Sequence, residues 1–84
     1  MRVFSLMSTE GCHLCDEAVE IIVTTMNPEL HQVDEVDIAY NDALMEKYAL
    51  LIPVLLDEQS GTELRWPFTQ QQLIDFIAGL SVEG

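Results

Sequence analysis

Arg2 to Met7 is a short, mostly apolar run that ends in the polar stretch Ser8-Thr9-Glu10-Gly11. A run of that length between polar boundaries predicts a buried strand. The period then changes. From about Cys12 to Met26, the residues Cys15, Val19, Ile22 and Met26 recur at helical spacing and Ala18 widens the stripe. Asp16, Glu17 and Glu20 lie near the start of this helix, where carboxylates suit the dipole, and Asn27-Pro28 ends it. His31 to Ile38 predicts a second strand, with Val36 and Ile38 on one face and Asp34 sharing it. Asn41 or Asp42 then caps a short helix through Tyr48 that carries Leu44, Met45 and Tyr48. Ile52 to Asp57 predicts a third strand, whose early proline suits a strand start or an edge. Glu58-Gln59-Ser60-Gly61 is a turn, and Thr62 to Trp66 returns as an antiparallel partner.

The last helix has the clearest local signature. Thr69 and Gln72 have capping-box spacing, and Phe68 and Leu73 stand where a hydrophobic staple sits. Leu73, Ile74, Ile77 and Leu80 form the expected apolar stripe, with Phe76 at its side, and Gly79 weakens the final turn. Trp66 and Phe68 flank Pro67 and either cap the core beside this helix or form an apolar platform for a partner. The order is strand-helix-strand-helix-strand-strand-helix. A right-handed crossover makes the first two strands parallel, and a hairpin and helix follow. The expectation is an α/β domain spanning residues 1–84, with one four-stranded mixed sheet flanked by helices.

Charge narrows the partners. Fifteen acids against three bases (Arg2, Lys47 and Arg65) leave a net charge of −12. Phosphate binding needs clustered lysine and arginine, so no nucleic-acid partner is expected, and anionic membrane surfaces are disfavoured for the same reason. No apolar run approaches the roughly 20 residues needed to span a bilayer, and the opening residues do not form a secretory signal. The expected location is cytoplasmic.

The two cysteines, Cys12 and Cys15, are too close in sequence to staple a fold, so the pair points to chemistry or metal binding. C-x-x-C between a strand and a helix is the spacing of a thiol–disulfide exchange site. At the helix start, unpaired backbone N–H groups and the dipole favour a thiolate on Cys12. Cys15, one turn on, can resolve a mixed disulfide formed there. Gly11 leaves room for an approaching chain. A protonated His13 favours the thiolate, whereas Glu10, Asp16 and Glu17 oppose it, and partial cancellation is expected. Only His13 and His31 could add to the pair as zinc ligands, and His31 is expected to be a strand-edge residue without chemistry.

The segment Ser8-Thr9-Glu10-Gly11-Cys12-His13-Leu14-Cys15-Asp16-Glu17-Ala18 resembles the active site of small glutaredoxin-like proteins of the thioredoxin-fold superfamily. Tyr48-Ala49-Leu50-Leu51-Ile52-Pro53-Val54-Leu55 is similar to the segment in which that superfamily carries a cis proline facing the dithiol. Together with the element order, the resemblance covers nearly the whole chain. It implies a thioredoxin-like βαβαββα fold, an exposed nucleophile at Cys12, a resolving thiol at Cys15, and a cis Pro53 that sets the Ile52 backbone beside the nucleophile. Periodicity alone favours an ordinary trans proline at that position.

The departures concern substrate. Where glutathione-using relatives have a Gly-Gly pair after the fourth strand, this chain has Trp66-Pro67-Phe68-Thr69. Thr9 and Glu10 stand where a basic residue commonly precedes the dithiol. Glutathione is anionic, so its use, and with it glutathione-bridged iron–sulfur binding, is doubtful. The expected activity is thiol–disulfide exchange with a protein disulfide, with regeneration by a dithiol reductant and no cofactor or metal. The rival is a non-enzymatic module whose dithiol senses redox state or holds a metal with a second copy.

Overall fold

Strand β1 (Arg2–Ser8) lies inside the sheet, parallel to β2 (His31–Asp37) on one side and antiparallel to β3 (Val54–Asp57) on the other. β3 pairs antiparallel with β4 (Glu63–Arg65), giving the order β2-β1-β3-β4. Three helices complete the fold: α1 (His13–Thr25), α2 (Asp42–Tyr48) and α3 (Gln70–Ala78). The structure is a computed structural model that describes residues 1–80. The fold is thioredoxin-like, as expected.

The pleat of β1 sorts its side chains between two cores. Phe4 and Leu6 face α1 and α3, where they meet Ala18, Ile22, Met26, Leu55, Phe68 and Leu73. Met7 faces the other way and packs with Ile38, Tyr48 and Val54 beneath α2. Buried on both faces, β1 therefore reads as a run rather than as an alternation.

Several boundaries differ from expectation for local reasons. β2 stops at Asp37, because the Asp37 carboxylate accepts from the Ala39 N–H at 2.9 Å and opens a 3₁₀ turn over Ile38–Tyr40. Ile38 is thereby buried from a turn instead of a strand. Asn41, not Asp42, caps α2, its side chain accepting from the Leu44 N–H at 3.1 Å. β3 begins at Val54 because the Ile52 N–H is committed to the Tyr48 carbonyl at 3.1 Å and Pro53 has no N–H.

At α3 the capping box is complete. Thr69 Oγ1 accepts from the Gln72 N–H at 3.1 Å, and Gln72 Oε1 accepts from the Thr69 N–H at 2.8 Å. Phe68 and Leu73 are both buried on one core, as a staple requires. The expected stripe needs one correction. Ile74 is 43% exposed, and the core-facing set is Leu73, Phe76, Ile77 and Leu80. These follow the i, i+3, i+4, i+7 rule, from which Ile74 departs by one residue. Trp66 and Phe68 belong to the core: their rings meet edge to face with centroids 5.1 Å apart, and Phe68 is buried.

Candidate redox site

The site is built where β1 ends and α1 begins. After Ser8 the chain turns through Thr9, Glu10 and Gly11, closed by the Cys12 N–H donating to the Thr9 carbonyl at 3.3 Å. Gly11 makes the turn possible with φ of +78°, a region that other residues rarely occupy. Cys12 is the N-cap of α1, with extended backbone angles, and its sulfur accepts from the Cys15 N–H at 3.2 Å. The sulfur thus fills the place that a serine or asparagine oxygen takes at most helix starts. An N–H held on the sulfur, together with the dipole, favours its negative form.

Cys12 and Cys15 are joined in a disulfide with Cα atoms 5.2 Å apart. Their surroundings differ. Cys15 is 2% exposed and faces the core, whereas Cys12 is partly exposed at the rim. His13 projects into solvent, with Nε2 3.9 Å from a Glu17 carboxylate oxygen one turn along the helix. His31, in contrast, starts β2 opposite Arg2 and sets its ring edge-on to Phe4, with centroids 5.7 Å apart. It stands at the end of the sheet away from the cysteines, so the fold does not bring it to the pair.

Pro53 is buried and follows a cis peptide bond from Ile52, as the resemblance implied. The register sets Met7 opposite Val54, which brings the Ile52-Pro53 segment to the same end of the sheet as the loop after Ser8. Ile52 is partly buried there against the core beneath α2. The Pro53 carbonyl accepts from the Trp66 N–H at 3.1 Å. A second cis bond, Trp66-Pro67, had no counterpart in the sequence argument.

Sequence reasoning found only part of the charge that surrounds the loop. An open groove of about 480 Å³ runs beside it, lined by Ser8, Thr9, Glu10, Gly11, Asp16, Glu35 and Asp37. Glu10 and Asp16 come from the dithiol segment, but Glu35 and Asp37 arrive from β2, whose register places Asp37 opposite Ser8. Glu35 accepts from Ser8 Oγ at 3.0 Å.

The three cations lie elsewhere. Arg2 pairs with Asp57 at the far end of β1. Lys47 and Arg65 both meet Glu63, at 3.7 and 3.3 Å. Glu63 also accepts from the Tyr48 hydroxyl, which is the main reason its carboxyl lies below the ordinary glutamate range. Burial, and then that same carboxylate, raise the Tyr48 hydroxyl.

No helix among the described residues is long and apolar enough to cross a membrane. A family model described as "Glutaredoxin-like domain (DUF836)" matches residues 4–78. No curated protein matches the chain. Among solved structures, the X-ray structure of Northeast Structural Genomics target protein XcR50 from X. campestris is 33% identical, covers 93% of this chain and 99% of its own, and has a TM-score of 0.82. The solution structure of the same target is also 33% identical, with 96% and 97% covered and a TM-score of 0.79. A structure described as that of a malarial protein shares the fold at 16% identity and a TM-score of 0.61, over 93% of this chain and 94% of its own. The match across residues 4–78 agrees with a sheet that delivers a bonded Cys-x-x-Cys pair to a helix start, and the chain belongs to the glutaredoxin-like domain family.

Proposed function

We propose that this domain is a cytoplasmic thiol–disulfide oxidoreductase that reduces a protein disulfide, with Cys12 as nucleophile and Cys15 as resolving thiol. The observation that carries the proposal is the asymmetry of the pair: one cysteine partly exposed at a helix N-cap, its partner buried one turn below.

In the reduced protein, the Cys12 thiolate attacks one sulfur of the substrate disulfide. The substrate S–S bond breaks, a Cys12–substrate disulfide forms, and one substrate thiol leaves. Cys15 then attacks Cys12, forms the internal disulfide and releases the second substrate thiol. Two electrons pass to the substrate; one proton comes from the Cys15 thiol and the other, lost to solvent when Cys12 ionised, returns from solvent, so both substrate sulfurs end as thiols. A dithiol reductant reverses the change on the enzyme and is oxidised in turn. Gly11 and His13 frame the nucleophile, and Ile52 and Pro53 border the same end of the sheet, where an extended substrate segment could add its backbone.

Trapping tests the roles. Cys15→Ser accumulates partners disulfide-linked through Cys12, and Cys12→Ser accumulates none. Equal trapping by both variants overturns the assignment. Turnover tests the class. With excess dithiol, the domain reduces many equivalents of a model protein disulfide, whereas a single stoichiometric oxidation marks a sensor.

A further inference from the structure

The dithiol loop borders a groove whose ionisable side chains are all acidic: Glu10, Asp16, Glu35 and Asp37. The chain has only three lysines and arginines, and each is held by a carboxylate away from that groove. Arg2 pairs with Asp57 at the start of β1, about 20 Å along the strand from its dithiol end. Lys47 and Arg65 share Glu63 on the opposite face of the sheet, and Arg65 lies on edge strand β4, three strand spacings from β2. A substrate sulfur approaching Cys12 therefore meets uncompensated negative charge on the β2 side and no lysine or arginine to receive a carboxylate; the nearby His13 has Glu17 beside it.

We infer that the dithiol selects its disulfide by charge, taking disulfides flanked by lysine or arginine and rejecting anionic ones. The inference rests on the oxidoreductase reading above. It names the substrate class of that same site: a polypeptide disulfide with basic neighbours, seated so that a cationic side chain enters the groove beside Gly11. The bonds exchanged are those already given, and the charged groups change only the free energy of encounter and of the mixed disulfide. The net charge of −12 adds long-range attraction for such a partner.

Small disulfides of one length and different charge provide the test. The reduced protein is mixed with dicationic cystamine, neutral hydroxyethyl disulfide and dianionic dithiodipropionate. Each rate is divided by the rate at which dithiothreitol, a neutral dithiol, reduces the same compound. At about 0.01 M salt, where the Debye length is roughly 30 Å, the normalised rate falls from cation to neutral to anion, by about tenfold or more overall. Near 1 M salt the spread collapses. The double variant Glu10→Gln/Asp16→Asn, altered at two exposed positions, narrows the spread at low salt.

Normalised rates that are equal for all three compounds, or highest for the anion, overturn charge selection and leave the oxidoreductase reading standing. So does a spread that neither salt nor the double variant changes. Reaction with none of the three overturns the oxidoreductase reading, and charge selection with it.

Discussion

Arg2 and Asp57 clasp the end of the sheet remote from the dithiol: Nε and Nη2 of the guanidinium donate to the two carboxylate oxygens at 2.9 and 2.7 Å. The Asp57 carboxylate has no exposed surface and also accepts from the Ser60 backbone and hydroxyl. A buried carboxylate is tolerable only with such complete pairing.

The arginine hydrogen bonds, ahead of those from Ser60, lower the Asp57 pKa from 3.8 to about 2. A folded-state pKa below the unfolded value stabilises the native protein above the unfolded pKa, and this contribution disappears as pH falls through the folded one. Asp57→Asn is therefore expected to lower stability at pH 7 by roughly 2 kcal/mol. The gap between wild type and variant should close as pH falls from about 4 towards about 2. Urea unfolding of both proteins across that range measures it, and a gap that does not depend on pH would show that the clasp contributes nothing through its charge.

A second expectation concerns the nucleophile. The helix start and the Cys15 N–H favour a thiolate on Cys12, while Glu10, Asp16 and the acids of β2 oppose it. In Cys15→Ser, absorbance of the thiolate against pH should give a midpoint above about 5, higher than the most acidic helix-start cysteines. A lower midpoint would mean that the surrounding carboxylates are electrically remote from the sulfur.

Core and surface of α3 separate cleanly. Leu73→Ala is expected to cost about 2–5 kcal/mol, because the side chain is wholly buried between the sheet and α1. Ile74→Ala, one position on but turned to solvent, should cost about 1 kcal/mol or less. Chemical denaturation of the two variants compares them directly, and equal losses would place Ile74 in the core after all.

Loss of the helix cap is the fourth test. Thr69→Ala removes the oxygen that accepts from Gln72 and should destabilise by about 1 kcal/mol. Thr69→Ser keeps that oxygen and should recover most of the loss, as thermal unfolding would show.

What the sequence made legible was local. The strand and helix periods, the Thr69–Gln72 box and the Cys12–Cys15 spacing each depend on residues a few positions apart, and each marks an element that the structure contains, with boundaries shifted by a residue or two. The Ile74 error came from grouping adjacent apolar residues into one stripe when strict helical spacing already excluded it. Long-range relations were different. That Asp57 would receive Arg2 across 55 positions follows from strand order and register, which no short window contains. The acidic groove is the same kind of fact. Glu10 and Asp16 were visible beside the cysteines, but Glu35 and Asp37 join them only because Ser8 stands opposite Asp37 in the parallel ladder.

Gly11 holds φ at +78°, yet a Cβ built there would meet no atom within 4 Å. The position is thus closed by torsion and open in space. Asparagine and aspartate bear that torsion most easily among residues with side chains. Substitution to asparagine should therefore leave the turn intact, and members of the family could vary at this point of the loop without rebuilding it, acquiring a new amide or charge next to the reacting sulfur in a single evolutionary step.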